Sequence, residues 1–288
     1  MKYKYIIITI ILLLTIGIIY GLYNRLEKEE ANWKDFNLVM HALGAIHGNT
    51  HTNTKEALME NYIKGGRVFE VDLYLTSDGR LVAIHPTQLL NRITNQAEVS
   101  SDYILNHDFF KERNLTPLSF VDIANLMIEH PDIFLITDTK RIDKETVQKQ
   151  FSYIYQVANQ KDPEILNRII PQIYTTAMYQ YIEEIYSFNE YIWTLYKTPG
   201  ISNQEIFNFL SLSSKITVIT MPYDVPRLTR EFILELDNRN ILVYVHPVDN
   251  ITKMDYLYNF GVWGFYTAFI TEDYIKRHEL LRHQEQVE

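Results

Sequence analysis

The chain has 288 residues and a net charge of −9, an acidic balance that excludes nucleic acid as a main partner, since binding it demands clustered Lys and Arg. Hydrophobic residues make up 47% of it and cysteine is absent. A large core is therefore possible, whereas disulfides, thiolate metal sites and thiol nucleophiles are not.

Lys2 and Lys4 precede an apolar run from Tyr5 to Tyr23. Its ~19 residues span roughly 29 Å as a helix, close to the hydrocarbon thickness of a bilayer. A cleaved signal peptide has a shorter apolar stretch that ends at small residues. This run ends in Gly21-Leu22-Tyr23-Asn24-Arg25, so residues 1–24 are expected to be an uncleaved, single-pass membrane anchor. Lys2, Lys4 and the terminal amine favour an N-terminus inside the cell, and hence a domain facing outward, although Arg25 and Lys28 oppose that bias. Residues 25–37 are charged and weakly helical and read as a stalk. The remaining residues, 38–288, suit one large α/β domain.

Within that domain, apolar runs alternate with stretches of helical period. The runs are Leu38–Ala42, Val68–Leu75, Ile133–Asp138, Ile169–Tyr174, Tyr191–Tyr196, Ile216–Thr220, Ile241–His246 and Val262–Tyr266. They are rich in Ile, Val, Tyr and Phe without strict polar alternation, as buried parallel strands are. The helical stretches are Thr54–Lys64, Ser119–Glu129, Asp143–Ala158, Ala177–Phe188, Asn203–Leu212, Pro226–Leu236, Thr252–Phe260 and Glu272–Arg282. Thr54, Ser119 (with Asp122) and Ser202 (with Glu205) are placed to cap three of them. Eight strands and eight helices in alternation predict a (β/α)8 TIM barrel. An open doubly wound sheet also alternates, but no glycine-rich phosphate loop follows any strand here. Between Leu75 and Ser119 the rhythm breaks at Thr76-Ser77-Asp78-Gly79-Arg80, a turn, followed by a short strand, Leu81–Ile84. This reads as a hairpin off the second barrel strand, over the active-site mouth.

Barrel enzymes carry their reactive groups at the C-terminal ends of the strands. Taken in order, those ends supply His41, then Glu70 and Asp72, then His85 after the turn, then Asp138 and Lys140. The period of two places Glu70 with Asp72, and Asp138 with Lys140, on one face each. Three carboxylates without thiolates make a hard, oxygen-rich site suited to a divalent cation, Mg2+ or Ca2+. Such an ion neutralises a phosphodiester, Lys140 adds a compact positive charge, and two imidazoles can serve as base and acid near neutral pH. Gln172, Tyr174, Tyr196 and His246 end later strands at the same rim and are candidates for substrate contact. His47 and His51 lie in the loop after the first strand, rich in Gly, Asn and Thr, and could touch substrate, with exposure at least as good a reading. Trp193 and Trp263 read as core or barrel wall.

The pattern His41-x-x-Gly44, Asn53-Thr54-x-Glu56-Ala57 and Phe69-Glu70-Val71-Asp72-x-x-x-Thr76-x-Asp78-Gly79-x-x-Val82-x-x-His85 resembles the N-terminal signature of the glycerophosphodiester phosphodiesterases. Pro117-Leu118, the acidic-x-Lys pair at Asp138 and Lys140, and Gly261-Val262-Trp263-Gly264 extend the likeness from about Leu38 to Phe269. The resemblance implies hydrolysis of glycerophosphodiesters, lipid headgroups or cell-envelope polymers among them. It implies a divalent cation on Glu70, Asp72 and Asp138, His41 and His85 as the acid–base pair, and Lys140 near the phosphate. In related phospholipases a neighbouring hydroxyl attacks phosphorus and gives a cyclic phosphate, so attack by that route and by water both stay open.

Three positions depart from the family pattern. Ala42 stands where an arginine usually follows the first histidine, Thr52 where Glu precedes Asn-Thr, and Asp138 where Glu is common. Asp at the third position is shared with the sphingomyelinase D-type phospholipases, so phospholyase chemistry of that type is one alternative. The missing arginine motivates another, an inactive anchored barrel that binds a phosphorylated glycan or protein.

Overall fold

The branched and aromatic runs become strands of one closed sheet in the structure, a computed structural model that describes residues 32–96 and 98–285. They are β1 (Leu38–Met40), β2 (Val68–Leu75), β3 (Leu81–Ala83), β4 (Phe134–Asp138), β5 (Ile169–Ile173), β6 (Tyr191–Thr194), β7 (Ile216–Pro222), β8 (Leu242–His246) and β9 (Gly264–Thr267). All but β3 pair in parallel, in the order β1-β2-β4-β5-β6-β7-β8-β9, and β1 closes the ring by pairing with both β2 and β9. This is the predicted eight-stranded barrel. Because the ring has no edge, no ladder of N–H and C=O groups is left unpaired.

The helices α1 (Lys55–Ile63), α2 (Ser101–Leu105), α3 (Asp108–Lys111), α4 (Phe120–Glu129), α5 (Lys144–Lys161), α6 (Thr176–Glu183), α7 (Asn203–Leu212), α8 (Arg230–Asp237), α9 (Ile251–Phe260) and α10 (Glu272–Glu285) connect the strands. Ser119 and Ser202 form full capping boxes with Asp122 and Glu205. Thr54 precedes α1 without capping it: its hydroxyl lies 3.3 Å from that of Thr52, and the Lys55 N–H bonds to the Thr116 carbonyl instead. Helix α8 begins at Arg230 rather than Pro226, because Thr229 supplies the cap to the Phe232 N–H. Helix α6 stops at Glu183, short of Phe188, whose buried ring packs edge-on against Phe151.

The hairpin read from the turn at Thr76–Arg80 is present. β3 runs antiparallel to β2 outside the ring, with Leu73 opposite Ala83. The excursion continues through a wide turn at Pro86–Leu90 into α2 and α3. Asp78 holds it to the turn by accepting bonds from the Ser101 N–H (2.8 Å) and hydroxyl (2.6 Å).

Packing inside the ring decides where bulk is tolerated. A β-carbon built on Gly264 would meet the Tyr244 ring at 2.4–2.6 Å, so the glycine makes room for a fully buried tyrosine on the neighbouring strand. Gly264→Ala is expected to destabilise the barrel by about 1–3 kcal/mol through overpacking. Urea denaturation measures this, and a variant as stable as the parent would contradict the packing described.

The expected anchor at residues 1–24, and the stalk up to residue 31, lie outside the described residues. Among the described residues no helix is long and apolar enough to cross a membrane. Residues 32–35 form a helical turn at Trp33–Asp35, closed by the Asn32 N–H on the Asp35 carboxylate (3.0 Å). The barrel unit begins at Phe36.

Candidate active site

β2 and β4 lie side by side with Glu70 opposite Ile136 and Asp72 opposite Asp138. Residues opposite one another on parallel strands share a face, so the three acids converge. Their ligand oxygens all lie within 4.8 Å of one another, and all three residues are buried.

Each acid is held by different neighbours. Glu70 Oε2 accepts the Ala42 N–H (2.7 Å), and His41 Nε2 stands 3.8 Å away. Asp72 is gripped by Asn53, whose side-chain amide donates to Oδ2 (2.9 Å) while its carbonyl accepts the Asp72 N–H (3.1 Å). His85 Nε2 is 4.0 Å from Asp72 Oδ1, and Lys140 Nζ is 2.8 Å from the same oxygen. Lys140 also bonds to Asp138 through both its N–H (3.2 Å) and its ammonium. The sequence expectation that Lys140 shares a face with Asp138 holds by another route. The strand ends at Asp138, Lys140 takes a left-handed backbone (φ 59°), and its side chain turns back to the acids.

The electrostatics are those of a cluster short of positive charge. Burial, then repulsion from Asp72 and Asp138, pushes the Glu70 carboxyl well above its ordinary value. Burial acts on Asp72 in the same sense, but Lys140, His85 and His41 together outweigh it and hold that carboxyl low. For Asp138 burial prevails over Lys140, and the carboxyl is raised. Lys140 is held above its ordinary value because Asp138, Asp72 and Glu70 overcome its own burial. Burial is also the leading cause that lowers His41 and His85.

A divalent cation fits this donor set. Glu70 Oε1 is buried and makes no hydrogen bond among the described residues, while Asp72 Oδ1 meets the Lys140 ammonium at 2.8 Å. Buried carboxylate oxygens without partners are costly, and one ammonium leaves two of three negative charges uncompensated. Glu70, Asp72 and Asp138 would hold the ion, as the sequence reading expects. Mg2+ or Ca2+ at ~100 times its dissociation constant is expected to stabilise the fold by about 2.7 kcal/mol, and so to raise Tm by several degrees. Calorimetry with and without chelator reads this, and an unchanged Tm would count against the ion.

The remaining candidates divide. Gln172 accepts the Tyr266 hydroxyl (3.0 Å) in the barrel interior. Tyr174, expected at the rim, is fully buried instead, with Lys197 Nζ 4.1 Å above its ring, so it forms the wall beneath the mouth. Tyr196 is 37% exposed and reaches the surface. His246 lies between them: its ring centroid is 5.8 Å from both Tyr196 and Tyr266, and burial holds its imidazole at about 3, neutral at any working pH. Trp193 is buried wall, whereas Trp263 is 37% exposed. His47 is exposed in its loop.

Four residues have a larger place than sequence reasoning assigned. His51 stands between His41 and His85, with ring centroids 4.9 and 5.4 Å away. Asn53, read only as part of a motif, is the clamp on Asp72. Tyr266 lies two residues beyond Gly264 on β9, an alternation that signals an inward side chain. Lys197, directly after Tyr196, donates to the Lys140 carbonyl (2.5 Å). The loop bearing two of them is strained: Ala42, Leu43, His47, His51 and Asn53 all have φ of 50–66°. Such conformations each cost of order 1–3 kcal/mol and cluster where geometry serves function.

Oxygen donors flanked by imidazoles at the C-terminal mouth of a barrel suit ester hydrolysis and could hold a divalent ion. The chain belongs to the glycerophosphoryl diester phosphodiesterase family, whose sequence model matches residues 45–272, and is thus a phosphoric diester hydrolase by family. Solved structures share the fold at low identity. A glycerophosphodiester phosphodiesterase from Parabacteroides distasonis is 15% identical, with a TM-score of 0.63 over 87% of this chain and 98% of that one. An Oleispira antarctica phosphodiesterase, solved in complex with the product sn-glycerol-3-phosphate, is 13% identical, with a TM-score of 0.62 over 85% and 96%. The Thermotoga maritima glycerophosphodiester phosphodiesterase is 14% identical, with a TM-score of 0.58 over 85% and 97%. Comparison with curated protein sequences gives no significant match.

Proposed function

We propose that the chain hydrolyses glycerophosphodiester-type substrates, lipid headgroups or cell-envelope polymers, with Mg2+ or Ca2+ on Glu70, Asp72 and Asp138. The observation that carries this reading is the convergence of the three acids within 4.8 Å, with His41 Nε2 3.8 Å from Glu70 and His85 Nε2 4.0 Å from Asp72. When bound, the ion supplies charge neutralisation for the phosphodiester and for the more highly charged transition state. Lys140 pairs with Asp72 and Asp138 and keeps a positive charge beside the phosphate. One imidazole of the His41–His85 pair takes the proton of the attacking oxygen, and the other protonates the departing alkoxide. Burial keeps the imidazole that accepts the proton neutral down to lower pH than in water, while the imidazole that donates enters the step protonated, a form that the neighbouring Asp72 carboxylate favours. Tyr196 and His246, with Gln172 and Tyr266 behind them, shape the side of the mouth that receives the alcohol moiety.

Asp138 in place of Glu supports a second route on the same site, in which a substrate hydroxyl attacks and a cyclic phosphate forms. Phosphorus NMR of the products separates the two. Purified full-length protein is expected to release glycerol phosphate or free alcohol only when Mg2+ or Ca2+ is supplied. Protein that loads the ion yet leaves a panel of phosphodiesters intact would instead favour a binding barrel, the reading that Ala42 motivates.

Residues 1–24 anchor this barrel to the cell membrane with its mouth outside the cell, near lipid or envelope substrates; the apolar run Tyr5–Tyr23 supports this. Release of the full-length protein from membranes by alkaline carbonate would contradict it.

A further inference from the structure

The mouth holds a third imidazole that the acid–base pair leaves unused. We infer that His51 is a substrate-positioning residue that donates from Nε2 to a non-bridging oxygen of the bound phosphate, a role that rests on the hydrolase reading above. Its ring is set edge-on to both neighbours, at 81° to His41 and 89° to His85. A group placed there meets whatever the other two histidines act upon.

Its own hydrogen bonding is compatible with a donor at Nε2. Nδ1 lies 3.0 Å from the Thr50 hydroxyl, and His51 makes no other hydrogen bond among the described residues. With the hydroxyl donating, Nδ1 is the acceptor and the ring proton sits on Nε2. Three other donors near the acids are already engaged: Lys140 with Asp72 and Asp138, Lys197 with the Lys140 carbonyl, and Asn53 with Asp72. Ala42, after the first histidine, has no side chain that reaches a phosphate.

The backbone is arranged to keep His51 in place. The residue sits at φ 57°, a left-handed conformation uncommon outside glycine, and Asn53, also left-handed, ties the same loop to Asp72 through two hydrogen bonds. The position of His51 is thus coupled to that of an acid of the cluster. The plain alternative is that the ring only fills space between two histidines, in which case any aromatic ring would serve.

Two substitutions separate these readings in the full-length protein with saturating Mg2+. His51→Phe keeps an aromatic ring and removes the donor, whereas His51→Gln removes the ring and keeps a donor of similar reach. sn-Glycerol-3-phosphate binding by calorimetry is expected to weaken about tenfold in His51→Phe and to stay within about threefold of wild type in His51→Gln. Hydrolysis of glycerophosphocholine should show the same order in KM with kcat little changed, the pattern of lost binding common to ground and transition states. The Mg2+-induced rise in Tm should be equal in all three proteins. His51→Phe that binds and turns over like wild type, or His51→Gln no better than His51→Phe, overturns the role of His51 alone. Wild type that neither binds glycerol phosphate nor cleaves a diester overturns the hydrolase reading with it.

Discussion

Asp72→Asn is expected to lower kcat/KM toward a glycerophosphodiester by about 10³-fold or more, since loss of ~4 kcal/mol of transition-state stabilisation corresponds to that factor. Asp72 is where the cluster's contacts meet. Lys140, the Asn53 amide and His85 all address its two oxygens, and it opposes Asp138 across the β2–β4 ladder. Asparagine keeps the shape and an acceptor for Asn53, so the fold should survive, as circular dichroism can verify. It removes the negative charge, so added Mg2+ or Ca2+ should no longer raise Tm. A variant that keeps both its activity and its ion-dependent stabilisation would show that the carboxylate cluster is not the working site.

His85→Ala should behave differently although the side chains are neighbours. Removing one partner of an acid–base pair costs typically 10²–10⁴-fold in turnover. The three carboxylates are untouched, so the rise in Tm on adding the ion should persist. The pH profile supplies a further check. Burial is the leading cause that lowers both His85 and His41 below 6.5. The imidazole that accepts a proton therefore stays neutral, and competent, to lower pH, and activity is lost only as pH falls through the lowered value. The acid limb of kcat/KM should have its midpoint below 6.5, and a limb well above it would assign the titration to another group.

Some of this was written plainly in the chain. β2 spans the predicted residues Val68–Leu75, because an eight-residue apolar run flanked by turn residues has little choice of boundary. The barrel itself follows from the alternation of strand and helix, and the acids from a period of two within buried strands, where an uncompensated charge needs an explanation. The misreadings share a cause: each was settled by a contact remote in sequence. Thr54 looked like a cap, but Thr116 from another loop satisfies the helix start. His51 stays open between exposure and substrate contact in the sequence, because nothing in Gly48-Asn49-Thr50-His51 signals that Asn53 will be clamped to Asp72 and the ring set between His41 and His85. Tyr174 ends its run as Tyr196 does, yet Lys197 and Tyr196 cover it. Local pattern shows which residues a strand offers, while tertiary packing decides which of them see the substrate.

Anomalous diffraction from crystals grown with Mn2+ in place of the native ion would test the central claim most directly. One strong peak is predicted among Glu70, Asp72 and Asp138, at the roughly 2.0–2.6 Å range of oxygen ligands to hard divalent ions. A peak elsewhere, or three carboxyl groups turned apart around no peak, would contradict it.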